Sequence, residues 1–325
     1  MIMLKKLFIA VNTAFVLSLT AGCASTGAQR AALDEHIDPR FIKIELPRVV
    51  SPNEQLNLVK VSQVLGNKKL TPVQTAAVMW RRAEIYNHLG LDFLSVISLL
   101  ACIGVDNQSS DCYRDYGASL YVHSKFLEAY DALDGAIELN PHDSSAYFQR
   151  GMALYYGKRE LMAEKDLYQN YLKDRQDPYY MLWLFFAENA NDPEKARQKL
   201  LDRYRMINAK DLVFGTRLVE VFLGFRTEED LWEHIFDNTK DYVERNEHLC
   251  EAYFYMGKMH LLAGKKQKAL DYFKLARSTN VTYFLEFENA LLEIHMLDTA
   301  NEYQNIGYDD KVLNPAEAEE KTEDK

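Results

Sequence analysis

Ser110–Asp143 reads SDCYRDYGASLYVHSKFLEAYDALDGAIELNPHD, and the reading of these 34 residues decides the fold. Tyr113, Gly117 and Leu120 recur at helical spacing, as do Ala129, Leu133 and Ala136, and Pro141 closes the unit. Small residues opposite bulky ones let two antiparallel helices approach closely. Moving outward, Ala83, Gly117 and Gly151 follow one another at intervals of 34, and Gly257 lies 106 residues further on, three periods plus four. The next copy carries Tyr147, Gly151, Leu154, Ala163 and Leu167. A late copy carries Tyr253, Gly257, Ala269, Phe273 and Ala276. An earlier, degenerate copy shows Met79, Ala83, Tyr86 and Leu99, with Ser95 where the others have alanine.

A period of 34 with this pattern is that of the tetratricopeptide repeat. Each helical hairpin alone leaves an apolar face wet, and stacking neighbours buries it, so such units come in arrays. The expected fold is therefore all-α: a tetratricopeptide solenoid of helix-turn-helix hairpins over residues 55–300. Thr71-Pro72-Val73-Gln74 offers a capping residue, a proline at the first helical position and a capping-box partner. Before it, Leu56, Val59, Val61 and Leu65 predict a short helix ended by Gly66-Asn67. Between Pro178 and Leu249 the phase weakens, but Asp192-Pro193-Glu194 and Thr227-Glu228-Glu229-Asp230 are helix starts, so two irregular hairpins are expected there. Residues 301–325 lose periodicity and end acidic, which predicts a disordered tail.

Composition agrees. Of 325 residues 48% are hydrophobic and 12% aromatic, enough for a large core, while 14 Gly and 8 Pro are few for a turn-dense sandwich or barrel. A net charge of −10 argues against nucleic-acid binding, which needs clustered Lys and Arg. Met1–Gly22 has the form of a secretory signal: Lys5 and Lys6 precede the 13-residue apolar stretch Leu7–Leu19, too short to span roughly 30 Å of hydrocarbon. Leu19-Thr20-Ala21-Gly22-Cys23 resembles the lipobox of bacterial lipoproteins, with Thr20 where that box prefers Leu. The resemblance implies lipidation at Cys23, and Ala24 after it implies outer-membrane delivery. Residues 23–54, with Pro39, Pro47 and Pro52, are expected to be a lipid-anchored linker. Cys102, Cys112 and Cys250 form no metal-binding pattern. An oxidising periplasm would permit a Cys102–Cys112 bridge; two buried thiols are the open alternative.

Catalytic motifs do not emerge. GxGxxG and HExxH are absent, Gly151 to Gly157-Lys158-Arg159 misses the P-loop, and Gly117–Tyr121 fails the nucleophile elbow at its last position. No catalytic residue, metal site or cofactor is expected. Binding remains. In tetratricopeptide arrays the first helix of each hairpin lines a concave groove, which assigns Trp80, Glu84 and Asn87, then Arg114 and Tyr121, then Phe148, Met152 and Tyr155 to it. Aromatic and arginine side chains dominate binding hot spots, and Met adapts to varied partners. A carboxylate clamp would want Lys and Asn where Arg114 with Ala118, and Phe148 with Met152, stand.

Gln149-Arg150-Gly151-Met152-Ala153-Leu154-Tyr155-Tyr156-Gly157, Asp177-Pro178, Leu182-Trp183-Leu184-Phe185-Phe186-Ala187-Glu188, Phe254-Tyr255-Met256-Gly257-Lys258 and Phe273-Lys274-Leu275-Ala276 resemble the NlpI family of lipoproteins. The likeness extends over about Gln55–Leu297; the tether and acidic tail do not match it, and the three late cysteines depart from it. It implies a homodimeric outer-membrane lipoprotein facing the periplasm. Such a protein is a non-catalytic adaptor that docks peptidoglycan endopeptidases and a tail-specific protease and so controls cell-wall cutting. A pilotin-like or outer-membrane assembly lipoprotein is the alternative role for such repeats.

Overall fold

The computed structural model describes residues 35–39, 42–67, 69–208 and 213–306. Among them are fourteen α-helices and no strand. Helix α1 spans Pro52–Leu65. Three hairpins follow: α2 (Pro72–His88) with α3 (Asp92–Val105), α4 (Ser110–Val122) with α5 (Phe126–Leu139), and α6 (Ser144–Tyr156) with α7 (Glu160–Lys173). The irregular middle holds α8 (Pro178–Asn191), α9 (Pro193–Tyr204), α10 (Phe214–Leu223) and α11 (Glu228–Asn238). The late repeat is α12 (Tyr242–Leu262) with α13 (Lys266–Ser278), and α14 (Leu285–Ile306) ends the array. The chain is a helical tetratricopeptide solenoid.

The sequence signals act where they stand. Thr71 caps α2 with Gln74 completing the box, and Pro72 sits in the first turn. Thr227 and Asp230 do the same for α11, and Asp192 caps α9. In each regular hairpin a small residue on the first helix meets a bulky one sixteen positions later. A Cβ on Gly117 would stand 2.6 Å from Leu133 Cγ, on Gly151 2.7 Å from Leu167 Cγ, and on Gly257 2.5 Å from Phe273 Cε1, all closer than carbon atoms tolerate. Ser95, the departure in the first repeat, donates its hydroxyl to the Ala83 carbonyl at 2.9 Å, so the polar group is satisfied inside the crossing. A disulfide joins Cys102 at the end of α3 to Cys112 at the start of α4, tying the first two hairpins together, while Cys250 is a buried free thiol.

The core lies along α8. Met181–Ala187 is buried on every side, and Trp183 sits 5.7 Å from Phe186 and 6.1 Å from Tyr156 and Phe254, joining α6, α8 and α12. No described helix is long and apolar enough to cross a membrane. The array curls until α14 packs against α12, α13 and, far away in sequence, α4.

Boundaries move at both ends. Cys23, the expected signal and residues 307–325 lie outside the described residues. Helix α1 begins at Pro52, inside the stretch expected as linker, because Ser51 and Glu54 form a capping box. Residues 42–50 run extended along α12 and α13: Lys43 N–H donates to the Tyr253 hydroxyl at 3.1 Å, Arg245 pairs with Glu45 at 2.6 Å, and Arg48 N–H donates to the Thr279 carbonyl at 2.8 Å. At the other end α14 continues to Ile306, past the expected limit at 300.

Candidate binding groove

The first helices of the early hairpins, α2, α4 and α6, bring the assigned residues into one row, but they are not equally available. Asn87 is exposed, and Trp80, Glu84, Arg114, Phe148 and Tyr155 are half-buried. Tyr121 and Met152 are 0% exposed, so their assignment to a free groove surface is corrected. The cause is α14. The Tyr121 hydroxyl points at Met152 Sδ at 3.9 Å, Asn289 of α14 reaches the same sulfur at 3.9 Å, and the Tyr121 ring stacks on Tyr156 at 6.3 Å. The C-terminal helix occupies that end of the groove.

Arg114 acts as a tie between repeats. At 15% side-chain exposure it pairs with Asp111 at 2.7 Å, Asp115 at 2.8 Å and Asp143 at 2.9 Å, and Asp143 is itself the N-cap of α6. Trp80 donates its indole N–H to Asp115 at 2.6 Å, so one carboxylate links α2 to α4. Glu84 pairs with Arg81 at 2.8 Å. Phe148 packs on Tyr180 at 5.1 Å, and Tyr155 accepts a hydrogen bond from Lys258 at 3.1 Å. The open part of the groove is therefore its α2 end, where Trp80, Glu84 and Asn87 keep accessible surface, while Phe148 on α6 is packed against Tyr180 and Trp183 of α8.

Two residues that sequence reasoning missed hold α14 in place. Lys258 and Glu293 are 1% and 3% exposed and form a buried ion pair, with the Tyr156 hydroxyl donating to the same carboxylate at 3.0 Å. No local signal marks the pair, which stands 35 positions apart on two different helices.

A second acidic feature lies where α14 begins. Glu251 and Glu286 are both buried; Tyr179 donates to the first at 2.8 Å and Tyr255 to the second at 3.1 Å. Burial, and then the Glu286 charge, hold the Glu251 carboxyl well above its ordinary value, and burial raises Glu286 likewise. Carboxyls raised in the folded state contribute stability that is full below their unfolded pKa of 4.5 and lost as pH rises through the folded value. Glu251→Gln, which keeps an acceptor for Tyr179, is expected to raise the melting temperature at about pH 8 and leave it unchanged at about pH 4. Equal melting of variant and parent at both pH values would contradict this.

Among the described residues no group of three or more His, Cys, Asp or Glu is placed to hold a metal ion. No protein-family model matches the chain. Solved structures similar to it are repeat proteins. A tetratricopeptide repeat protein from Parabacteroides merdae is 15% identical over 75% of this chain and 94% of its own, with a TM-score of 0.48. The pilF protein of Pseudomonas aeruginosa is 16% identical over 66% of this chain and 88% of its own, with a TM-score of 0.43. The first tetratricopeptide domain of Spaghetti (RPAP3), bound to an HSP90 peptide, is 20% identical over 39% of this chain and 94% of its own, with a TM-score of 0.32. The fold itself stands on the helix crossings described above.

Proposed function

We propose that this chain is a protein-binding scaffold, carried by one observation: an array of stacked hairpins leaves the α2 end of its inner groove open while α14 fills the remainder. There Trp80, Glu84 and Asn87 offer aromatic, charged and amide groups on a rigid helix, the mixture that protein partners dock against. In this reading the chain supplies no reacting group. It works by holding two proteins on one surface, which raises their effective concentration without new chemistry.

The finer reading is an adaptor of the NlpI type. Cys23 carries the lipid, the outer membrane holds the chain facing the periplasm, and the docked proteins are peptidoglycan endopeptidases and a tail-specific protease. A photo-crosslinking residue at Asn87, compared with one at Leu161 on the exposed side of α7, tests the placement. Adducts with an endopeptidase or the protease are expected at 87 and not at 161; the same adducts at both positions, or none at 87, would sink it.

Self-association belongs to the same reading. Phe93, Ile97 and Leu100 form an apolar stripe on α3, exposed by 76%, 45% and 47%. We assign the dimer contact to this stripe. Ile97→Glu is expected to shift the purified chain from dimer to monomer by light scattering, with helicity unchanged; a dimer that survives the charge would remove the assignment.

A further inference from the structure

Beside the open end of the groove is a cleft of about 210 Å³, below the roughly 300–1,000 Å³ of pockets for drug-sized ligands and suited to a single side chain. It is built by Asp92 of α3, Gln149 of α6, and Tyr283 and Glu288 around the start of α14, with Asn87 and Tyr121 at its border. The Ser95, Ser119 and Thr282 hydroxyls in its lining donate to the Ala83, Tyr116 and His88 carbonyls, while other polar groups there are left as acceptors. Asp92 Oδ1 and Gln149 Oε1 are buried and accept no hydrogen bond from any described residue. Glu288 meets a cation only at 3.4 Å, from Arg277, whose same nitrogen also donates to the Phe287 carbonyl at 3.1 Å. A buried acceptor without a donor is costly, and here three elements each supply an acceptor to one small space.

We propose that this cleft binds an arginine side chain presented by a partner protein. The inference rests on the scaffold reading and names the chemistry its groove recognises. A guanidinium is planar and carries five N–H donors, so it can bond acceptors from several directions at once. An ammonium offers three donors from a point. The two carboxylates make the cleft electrostatically complementary to a cation. Burial, and then the Asp92 charge, push the Glu288 carboxyl up to about 7, against the Arg277 charge and hydrogen bond, which pull it down.

The test uses the full chain and three blocked pentapeptides, Ser-Gly-Arg-Gly-Ser and its citrulline and lysine counterparts, titrated while following the chain's NMR shifts. The arginine peptide is expected to bind about tenfold tighter than the citrulline one, which has the same shape and no charge. The Asp92→Asn/Glu288→Gln double variant is expected to lose that preference while melting no lower than the parent. Equal binding of arginine and citrulline peptides, no binding by the arginine peptide, or a double variant that still discriminates would overturn the proposal. Equal binding of arginine and lysine would overturn the choice of guanidinium. The Asn87 crosslink reports separately on the scaffold reading, so specific adducts there without an arginine preference would remove this inference alone.

Discussion

Replacing Lys258 with Met is expected to lower the stability of the chain by about 3–5 kcal/mol, because it strands a buried carboxylate. Lys258 and Glu293 are almost fully enclosed, and the ammonium lies 4.7 Å from the Tyr155 ring centroid and 5.1 Å from that of Phe186. Burial works against the charged lysine, but the Glu293 charge and the Tyr155 and Glu293 hydrogen bonds outweigh it, so its pKa is raised. Removing the cation leaves Glu293 without its counter-charge. Removing both, as Lys258→Met with Glu293→Leu, is expected to restore most of the loss, since an apolar pair of similar size needs no desolvation of charge. Chemical denaturation of parent, single and double variants decides it. A single variant as stable as the parent, or a double variant worse than the single, would contradict this account of how α14 is held in the groove.

The second large effect is a reversal of sign for one substitution at two sites. Gly→Ala inside a helix ordinarily stabilises by about 0.5–1 kcal/mol, through propensity and reduced chain entropy. Gly135 on α5 has no atom within 4 Å of where a Cβ would stand, so Gly135→Ala is expected to follow that rule. At Gly257 the new carbon would lie 2.5 Å from Phe273 Cε1 and 2.7 Å from Cδ1, in the crossing of α12 and α13. Overpacking there costs about 1–3 kcal/mol and is expected to win, giving a net loss. Thermal melts of the two variants check the pair. A Gly257→Ala chain that melts above the parent would mean that the crossing is looser than described.

Much of this was readable from residues. Gly117, Gly151 and Gly257 mark helix crossings because a small residue and its bulky partner are fixed within one hairpin, sixteen positions apart, where sequence and space are still closely coupled. The starts at Thr71, Asp192 and Thr227 were readable for the same reason, since capping involves only neighbours. The start of helix α10, one of the four helices that two hairpins require, was not marked. The helix begins at Phe214 after Val213, which makes no side-chain cap, so no local signal announces it. The occupation of the groove was beyond local reading. Tyr121 and Met152 stand at positions that face a ligand in an open array, and only the long-range return of α14 turns them into core. Lys258 and Glu293 are 35 residues apart and belong to no motif, so their pairing emerges only once the array has curled. The docking of residues 42–50 along α12 and α13 is hidden likewise, because its hydrogen bonds run mostly through backbone atoms that any sequence possesses.

On the proposed scaffold reading, the chain recruits proteins and transforms nothing itself. The most direct measurement of that reading is a reconstitution with purified full-length chain, a peptidoglycan endopeptidase and the tail-specific protease, following endopeptidase breakdown and peptidoglycan cleavage together. The account predicts that the endopeptidase is degraded faster when the chain is present and that the chain alone cuts no peptidoglycan. Unchanged degradation, or peptidoglycan cleaved by the chain unaided, would contradict it.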